Sequence, residues 1–255
     1  MAGFFLFASA LLLFCSMLGL TSAYKGVFPA RRGRARGRAL QVSAQTEEES
    51  GSAAHALVGL AKDALGLAFK NRETPYAYFY ALETIARVPY FSMTSVLHLL
   101  ETLGLSRRKE LLLLHFSESW NEMHHLLIME DLGGDALFRD RFVAQHLAFG
   151  YYWIVVALYL ASPPAAYLFN HEVEKHAAET YSNFLAEKEA ELRALPVPEV
   201  AALYYSSPTQ PLVSAAACDN GPRQLSSLYD VFCCIRDDEL GHAQTMISLA
   251  KKEQD

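Results

Sequence analysis

From residue 52 to the C-terminus, apolar residues recur at the three-to-four-residue spacing of amphipathic helices, and no segment alternates with the period of a half-buried strand. Six helices are predicted. The first, over 52–70, is rich in Ala and Leu, with Lys62, Asp63 and Lys70 as its few charges. The second, about 76–103, is expected to be interrupted or kinked at Pro89, because proline lacks the N–H that an inner helical position needs, and to stop at Gly104. The third, about 106–132, stops at Gly133-Gly134, since glycine readily takes the left-handed backbone that ends helices. The fourth, about 137–161, contains an uncharged run over 146–162. The fifth begins after Pro163-Pro164 and continues to about 195. Residues 196–222, with prolines at 196, 198, 208, 211 and 222, read as an extended connection. The sixth helix covers about 225–251. No repeat of solenoid length occurs, so the fold class is all-α.

Two of these helices carry the same short pattern. Glu122 and His125 lie three residues apart in the third, and Glu239 and His242 repeat that spacing in the last. Three residues turn a helix by about 300°, so each carboxylate shares a face with its imidazole and the two can bind one metal ion. Two further inward glutamates would complete the donor set of a ferritin-like four-helix di-iron carboxylate bundle. The second helix offers Glu83 and Glu101, which share a face. Helices two and three form an antiparallel hairpin about Leu105. Glu83 lies 22 positions before the turn, and Glu122 and His125 lie 17 and 20 after it. The mismatch is only about 3–8 Å at 1.5 Å per residue. Glu101 would be about 20 Å or more away, so Glu83 is the candidate and Glu101 a surface residue. In the fifth helix Glu172, Glu174 and Glu179 are all open, and periodicity does not select among them. Four carboxylates would neutralise two ferrous ions, and two imidazoles add nitrogen donors suited to iron.

Composition places this bundle at a membrane. A chain of 255 residues with 52% hydrophobic content and mean hydropathy +0.10 builds one substantial core and is greasier than a typical soluble enzyme. The net charge of −6 conceals an acid-free stretch over 24–45 that holds Lys25, Arg31, Arg32, Arg34, Arg36 and Arg38. Without it the body stands near −12, which argues against nucleic-acid binding. Residues 1–23 are uncharged and mostly apolar, the anatomy of a signal peptide, and about 17 apolar residues is short for a span. Residues 24–50 are transit-peptide-like. A signal, then Tyr24 at the cleavage point, then such a segment resembles the two-part leader that carries proteins into secondary plastids. Residues 51–255 form the predicted di-iron domain. Cys15 leaves with the leader. Cys218, Cys233 and Cys234 contain no Cys-x-x-Cys, so neither a disulfide framework nor a zinc site is indicated, and Cys233 and Cys234 read as packed apolar residues.

Four stretches, LETIARVPYF (82–91), HFSESWNEMHHLLIMEDLGG (115–134), VEKHAAETY (173–181) and LYDVFCCIRDDELGH (228–242), closely resemble the plastid terminal oxidases, a branch of the alternative oxidase family. The similarity covers about 72–250. It implies a quinol oxidase with two Fe ions in a di-iron centre, held by Glu83, Glu122, His125, Glu174, Glu239 and His242. This chooses Glu174 in the fifth helix and agrees with the hairpin argument for Glu83. The resemblance also implies a tyrosine near the metals, matched by Tyr181, which is expected to act in a redox or proton-coupled step. Glu174 and Tyr181 are two turns apart on one face. Asp238 and His98 match positions that orient imidazoles from behind the ligands, although His98 also reads as a satisfied core histidine. Leu82, Ala177 and Thr180 match quinone-pocket positions. Nearby the chain departs from the family: the position five before Glu83, usually Arg, is Tyr78, which keeps a hydrogen bond but loses a fixed charge. His115, His124, His146, His171 and His176 read as structural or exposed.

The resemblance thus implies oxidation of plastoquinol and reduction of O₂ to water, insensitive to cyanide and without proton pumping, in the thylakoid membrane of a plastid. The first and fourth helices bear no ligands and are the most apolar, so they are expected to lie in one membrane leaflet. The expected partners are plastoquinol, O₂ and that leaflet, with no nucleic acid; a homodimer stays open. A ubiquinol oxidase or a quinone-precursor hydroxylase on the same scaffold is the alternative, and a ferritin-like iron-binding protein is the alternative outside quinol chemistry.

Overall fold

In the computed structural model residues 58–59, 62–63, 65–67, 69, 74–206 and 225–253 are described. The predicted leader over 1–50 and Cys218 lie outside them. Among the described residues there are no strands and seven helices: α1 Tyr76–Ala86, α2 Val88–Thr102, α3 Lys109–Asp131, α4 Phe138–Ala161, α5 Pro163–Ala194, α6 Glu199–Ser206 and α7 Leu228–Lys252. Of the predicted 52–70 helix, residues 58–59, 62–63 and 65–67 are helical, with Val58 and Leu65 buried and Leu67 exposed.

The interruption expected at Pro89 falls at Arg87, which itself keeps helical dihedrals of φ −65° and ψ −18°. Pro89 has no N–H to donate to Ile85, and its ring would crowd that carbonyl, so the helix interrupts at Arg87 and α2 restarts with proline in its first turn. The hydrogen bonds on either side are long, 3.5 Å from Arg87 N to Glu83 O and 3.4 Å from Phe91 N to Arg87 O. The two glycine stops are where the sequence puts them. Gly104 and Gly133 adopt φ of 70° and 78°. Leu105 N and Gly134 N then reach back five residues to Leu100 O and Met129 O, at 2.9 and 2.8 Å, closing the C-terminal carbonyls as in a Schellman motif.

One expectation fails. The segment after Pro196 is not wholly extended, because residues 199–206 form α6. Pro198 precedes its first turn, where a missing N–H costs nothing. Ala201, Tyr204 and Tyr205, at helical spacing, are buried. Their burial stabilises a helix too short to stand alone.

The ligand-bearing helices are α1, α3, α5 and α7, and the most extensive packing is between α5 and α7. The bundle interior holds two apolar clusters. One gathers Phe79, Ile128, Met129, Tyr181 and Phe232; the other gathers Met93, Val96, Tyr159, Tyr167, Met246 and Leu249. On every bundle helix the polar residues of the candidate site fall between these clusters, so the charged layer is sealed above and below.

Gly134 sits where the end of α3 meets α1. A Cβ there would lie 2.5 Å from Tyr76 O, 2.9 Å from Met129 O and 2.9 Å from Tyr80 Cβ, whereas one on Gly104 meets nothing within 4 Å. Gly104→Ala should cost about 1 kcal/mol, the left-handed penalty alone. Gly134→Ala, forced against backbone, should cost about 1–3 kcal/mol as overpacking. Thermal unfolding of both variants checks this, with the larger fall in Tm expected for Gly134→Ala.

Candidate metal centre

Glu83, Glu122, His125, Glu174 and Glu239 are fully buried, and His242 is 5% exposed. Six ionisable groups in an apolar bundle carry a desolvation penalty of several kcal/mol each, roughly, unless something compensates it. Their arrangement shows what could. Glu83, Glu122, His125 and Glu239 each offer a ligand atom within 4.8 Å of the others, and so do Glu122, Glu174, Glu239 and His242. The two groups share Glu122 and Glu239. That is the geometry of two adjacent cation sites with two carboxylates common to both.

The contacts inside the cluster are short. His125 Nδ1 lies 3.0 Å from Glu239 Oε1 and 3.7 Å from Glu83 Oε2, and His242 Nδ1 lies 2.7 Å from Glu122 Oε1. Yet Glu83 Oε2, both oxygens of Glu122 and Glu239, Glu174 Oε2 and the Nδ1 atoms of His125 and His242 have no aligned hydrogen-bond partner. Buried polar atoms are nearly always satisfied. Each of the six residues contributes at least one orphan lone pair at the shared centre, so the donor set fits a pair of divalent cations, and carboxylate with imidazole suits iron.

Other residues hold these donors in place. Asp238 Oδ2 lies 3.3 Å from His125 Nε2 and accepts from Tyr205 Oη at 3.0 Å and Asn121 Nδ2 at 3.2 Å. This leaves Nδ1 of His125 turned to the cluster. Asn121 also donates to Tyr204 Oη at 2.7 Å, so α6 buttresses the site through both of its tyrosines. Tyr181, fully buried, donates to Glu83 Oε1. Tyr90 donates to Glu174 Oε1 at 2.8 Å.

The charges are strongly coupled. Burial works against the Glu122 carboxylate, yet the adjacent His125 and His242 hold its pKa near about 2. Burial and then the charge of Glu122 raise Glu174 to about 7 and push Glu83 and Glu239 well above the usual carboxylate range. Burial opposes the cationic form of His242, but Glu122 overrides it and raises the imidazole to about 9. The metal-free cluster therefore holds protons that a cation must displace.

A groove of about 280 Å³ opens beside the site, lined by Lys62, Pro75, Tyr78, Phe79, Thr180, Asn183, Phe184 and Glu187. The Phe79 ring lies 4.7 Å from the Tyr181 ring, so the groove wall touches the residue that bonds Glu83. Of the three expected pocket residues, Thr180 lines the groove, whereas Leu82, partly buried, and Ala177, buried, do not.

His98 is exposed, with Val96 and Leu97 taking the inward positions of α2, so it neither orients an imidazole nor sits in the core. Glu101 pairs with Arg107 at 3.0 Å near the turn, as the hairpin register predicts. Tyr90, Asn121, Tyr204 and Tyr205 were not identified from spacing. Only the 201/204/205 periodicity of α6 signals any of them.

Fold and donor set define the class: a four-helix bundle of the di-iron carboxylate type. The profile of the family described as alternative oxidase matches residues 38–251. The chain belongs to the alternative oxidase family. It is 50% identical over 179 residues, 69% of this chain and 51% of the relative, to an Arabidopsis thaliana protein named "Ubiquinol oxidase 4, chloroplastic/chromoplastic". It is 28% identical over 179 residues, 68% of this chain and 40% of the relative, to a Cryptococcus neoformans protein named "Alternative oxidase, mitochondrial". The match thus spans about half the length of these curated relatives, and it is stronger to the chloroplastic one.

Because Glu174 and His242 carry protons below pH of about 7 and 9, cation affinity should rise with pH. Each proton displaced contributes up to about tenfold per pH unit. Anaerobic titration of the metal-depleted protein with Co²⁺ between pH 6 and 8 should show at least tenfold tighter binding at the upper end. Affinity that is flat or falls with pH would contradict the cluster as drawn.

Proposed function

We propose that the chain is a plastoquinol oxidase of plastid membranes that reduces O₂ to water at a di-iron centre. The observation that carries this reading is the pair of overlapping four-donor groups, fully buried, beside a groove whose wall touches Tyr181. Glu83 and His125 would serve one iron, Glu174 and His242 the other, and Glu122 and Glu239 both. Bound there, iron supplies the redox centre at which dioxygen accepts electrons. Two quinols release the four electrons and four protons that convert one O₂ into two waters, so the overall reaction is balanced.

The chain's own residues organise this chemistry. The groove is just below the roughly 300–1,000 Å³ typical of sites for drug-sized ligands, enough for a quinol headgroup with its tail outside. Thr180 and Tyr78 present hydroxyls at its wall, and Lys62 presents a cation. Lys62 therefore stands in for the positive charge absent at Tyr78. Tyr181 holds its hydroxyl proton on Glu83 Oε1 and lies against Phe79, between groove and cluster, the position from which a proton-coupled step can pass from quinol to the centre. Asp238 fixes the His125 ring.

Access from lipid is supported by α4, the one helix among the described residues long and apolar enough to cross a membrane. Phe138, Phe142, Phe149, Trp153 and Leu160 are exposed along it, and Phe91 of α2 adds to that side, with its ring 5.6 Å from Tyr152. Such apolar exposure marks an interaction surface. The other face of α4 packs against α1, α2 and α5, which favours a helix lying in one leaflet over a span. The plastid assignment rests on the leader-like N-terminus and the identity to the chloroplastic relative.

Iron-loaded protein in liposomes should consume O₂ with plastoquinol, insensitive to cyanide, with two quinols oxidised per O₂. No uptake overturns the reading, and oxygen inserted into a quinone precursor makes it a hydroxylase. Lys62→Ala should raise KM for plastoquinol about tenfold with kcat retained, as expected for about 1.4 kcal/mol lost from a charge-assisted bond, and Lys62→Arg should keep it low. Steady-state oxygen electrode kinetics check both.

A further inference from the structure

Away from the six site residues, another row of exchangeable groups lies buried in the bundle. His115 is fully buried and Glu118 is 2% exposed, both on α3. His115 Nδ1 lies 3.0 Å from Glu118 Oε2, and its Nε2 lies 3.1 Å from the hydroxyl of Tyr167 on α5. That hydroxyl in turn lies 2.8 Å from the hydroxyl of Tyr159 on α4. Both nitrogens of His115 are engaged, so the ring can take a proton at one and release it from the other.

The row has two ends. His115 precedes Glu122 by seven residues, and Tyr167 precedes Glu174 by seven. Two turns separate the layers, about 10 Å along the helices. Towards the cluster, Glu118 Oε1 is buried with no hydrogen-bond partner, and the Tyr90 ring lies between the two layers, 6.3 Å from the His115 ring and 5.4 Å from the His242 ring. Tyr90 donates to Glu174, so its hydroxyl is the next exchangeable group inward. Outward, Arg108, seven residues before His115 on α3, pairs with Glu253 at the exposed end of the bundle. The quinol groove is at the opposite end, beyond Glu174 on α5. A buried Glu–His pair is a weak device for stability, since apolar replacements of similar volume usually do as well. The surrounding layer already has Met93, Val96, Leu111 and Met246 for packing.

We propose that Tyr159, Tyr167, His115 and Glu118 form a proton route between the aqueous end of the bundle and the metal centre. This rests on the oxidase reading above. A proton enters at the Tyr159 hydroxyl. Each group accepts one proton and passes one on, and Glu118 hands it inward through Tyr90. One net proton moves, no electron does, and every relay group keeps its charge, with His115 passing from one neutral tautomer to the other. The centre thereby exchanges protons with the aqueous phase by a path separate from the groove.

The test uses the full chain with Glu118→Gln, Glu118→Asp and Tyr159→Phe. With iron loaded, Glu118→Gln should keep iron content and KM, lose at least tenfold in kcat, and show a solvent deuterium effect on kcat at least twice that of the parent. Glu118→Asp should recover most of the loss. Separately, metal-depleted protein is mixed anaerobically with Fe²⁺ in weak buffer with a pH dye. Protons should appear in step with binding in the parent, and at least fivefold later in Glu118→Gln, with the same total released. Tyr159→Phe, remote from the cluster, should reproduce the lag even where Glu118→Gln misfolds. Proton release in step with binding in both variants, or an unchanged isotope effect, overturns the route. The lag without any quinol-driven oxygen uptake overturns the oxidase reading and leaves the route standing.

Discussion

The structure depends on one electrostatic constraint, the burial of four carboxylates and two imidazoles in a layer with no solvent. Helices suit this because their backbones are satisfied internally, leaving the layer's polarity to side chains alone. The layer is tolerable only if its charges are neutralised, by protons in the metal-free state or by cations in the loaded one. The divergence between Glu122, held near about 2, and Glu174, raised to about 7, expresses that constraint within one cluster. Glu122 receives both imidazoles and so keeps its charge, while its charge in turn forces protons onto the other carboxylates. Apolar clusters above and below deny the layer water.

From this layer the molecule acquires direction. Towards the groove, aromatic rings dominate: Phe79, Tyr181, Phe184 and Phe232 pack with centroids 4.7–5.6 Å apart, and Tyr181 alone among them bonds a site carboxylate. Towards the other end, Glu118, His115, Tyr167 and Tyr159 are joined in a row by their polar atoms. In the proposed function, a quinol headgroup would meet Lys62, Tyr78 and Thr180 on one side. The centre finds titratable partners on the other.

Much of this was legible in the chain and some was not, for physical reasons. Helical periodicity and glycine stops located the long helices, because amphipathic faces and left-handed caps are local properties. The hairpin register brought Glu83 to His125 because antiparallel helices joined by a short turn have little freedom to slide. Periodicity did not choose between Glu172, Glu174 and Glu179, since a face is an angular range and the choice needs the neighbouring helix. Tyr90 and Asn121 stayed hidden because a tyrosine or asparagine on an inner face looks like packing until its partner is known. His98 misled for the converse reason. A histidine in an apolar stretch reads as inward, and its actual exposure is set by how α2 rotates after the break.

That break is more than an interruption. Glu83 and Tyr90 are seven residues apart and would share a face on a straight helix, two turns from each other. Across the turn at Arg87, which keeps helical dihedrals, Glu83 lies in the donor group with His125, while Tyr90 reaches Glu174 in the other group. Pro89 is what enforces the break, since no rearrangement of side chains restores the N–H it lacks. The eight residues from Glu83 to Tyr90 thus support both halves of the centre from one helical face, and the long 3.5 Å bond at Arg87 is the local cost of placing Pro89 within it.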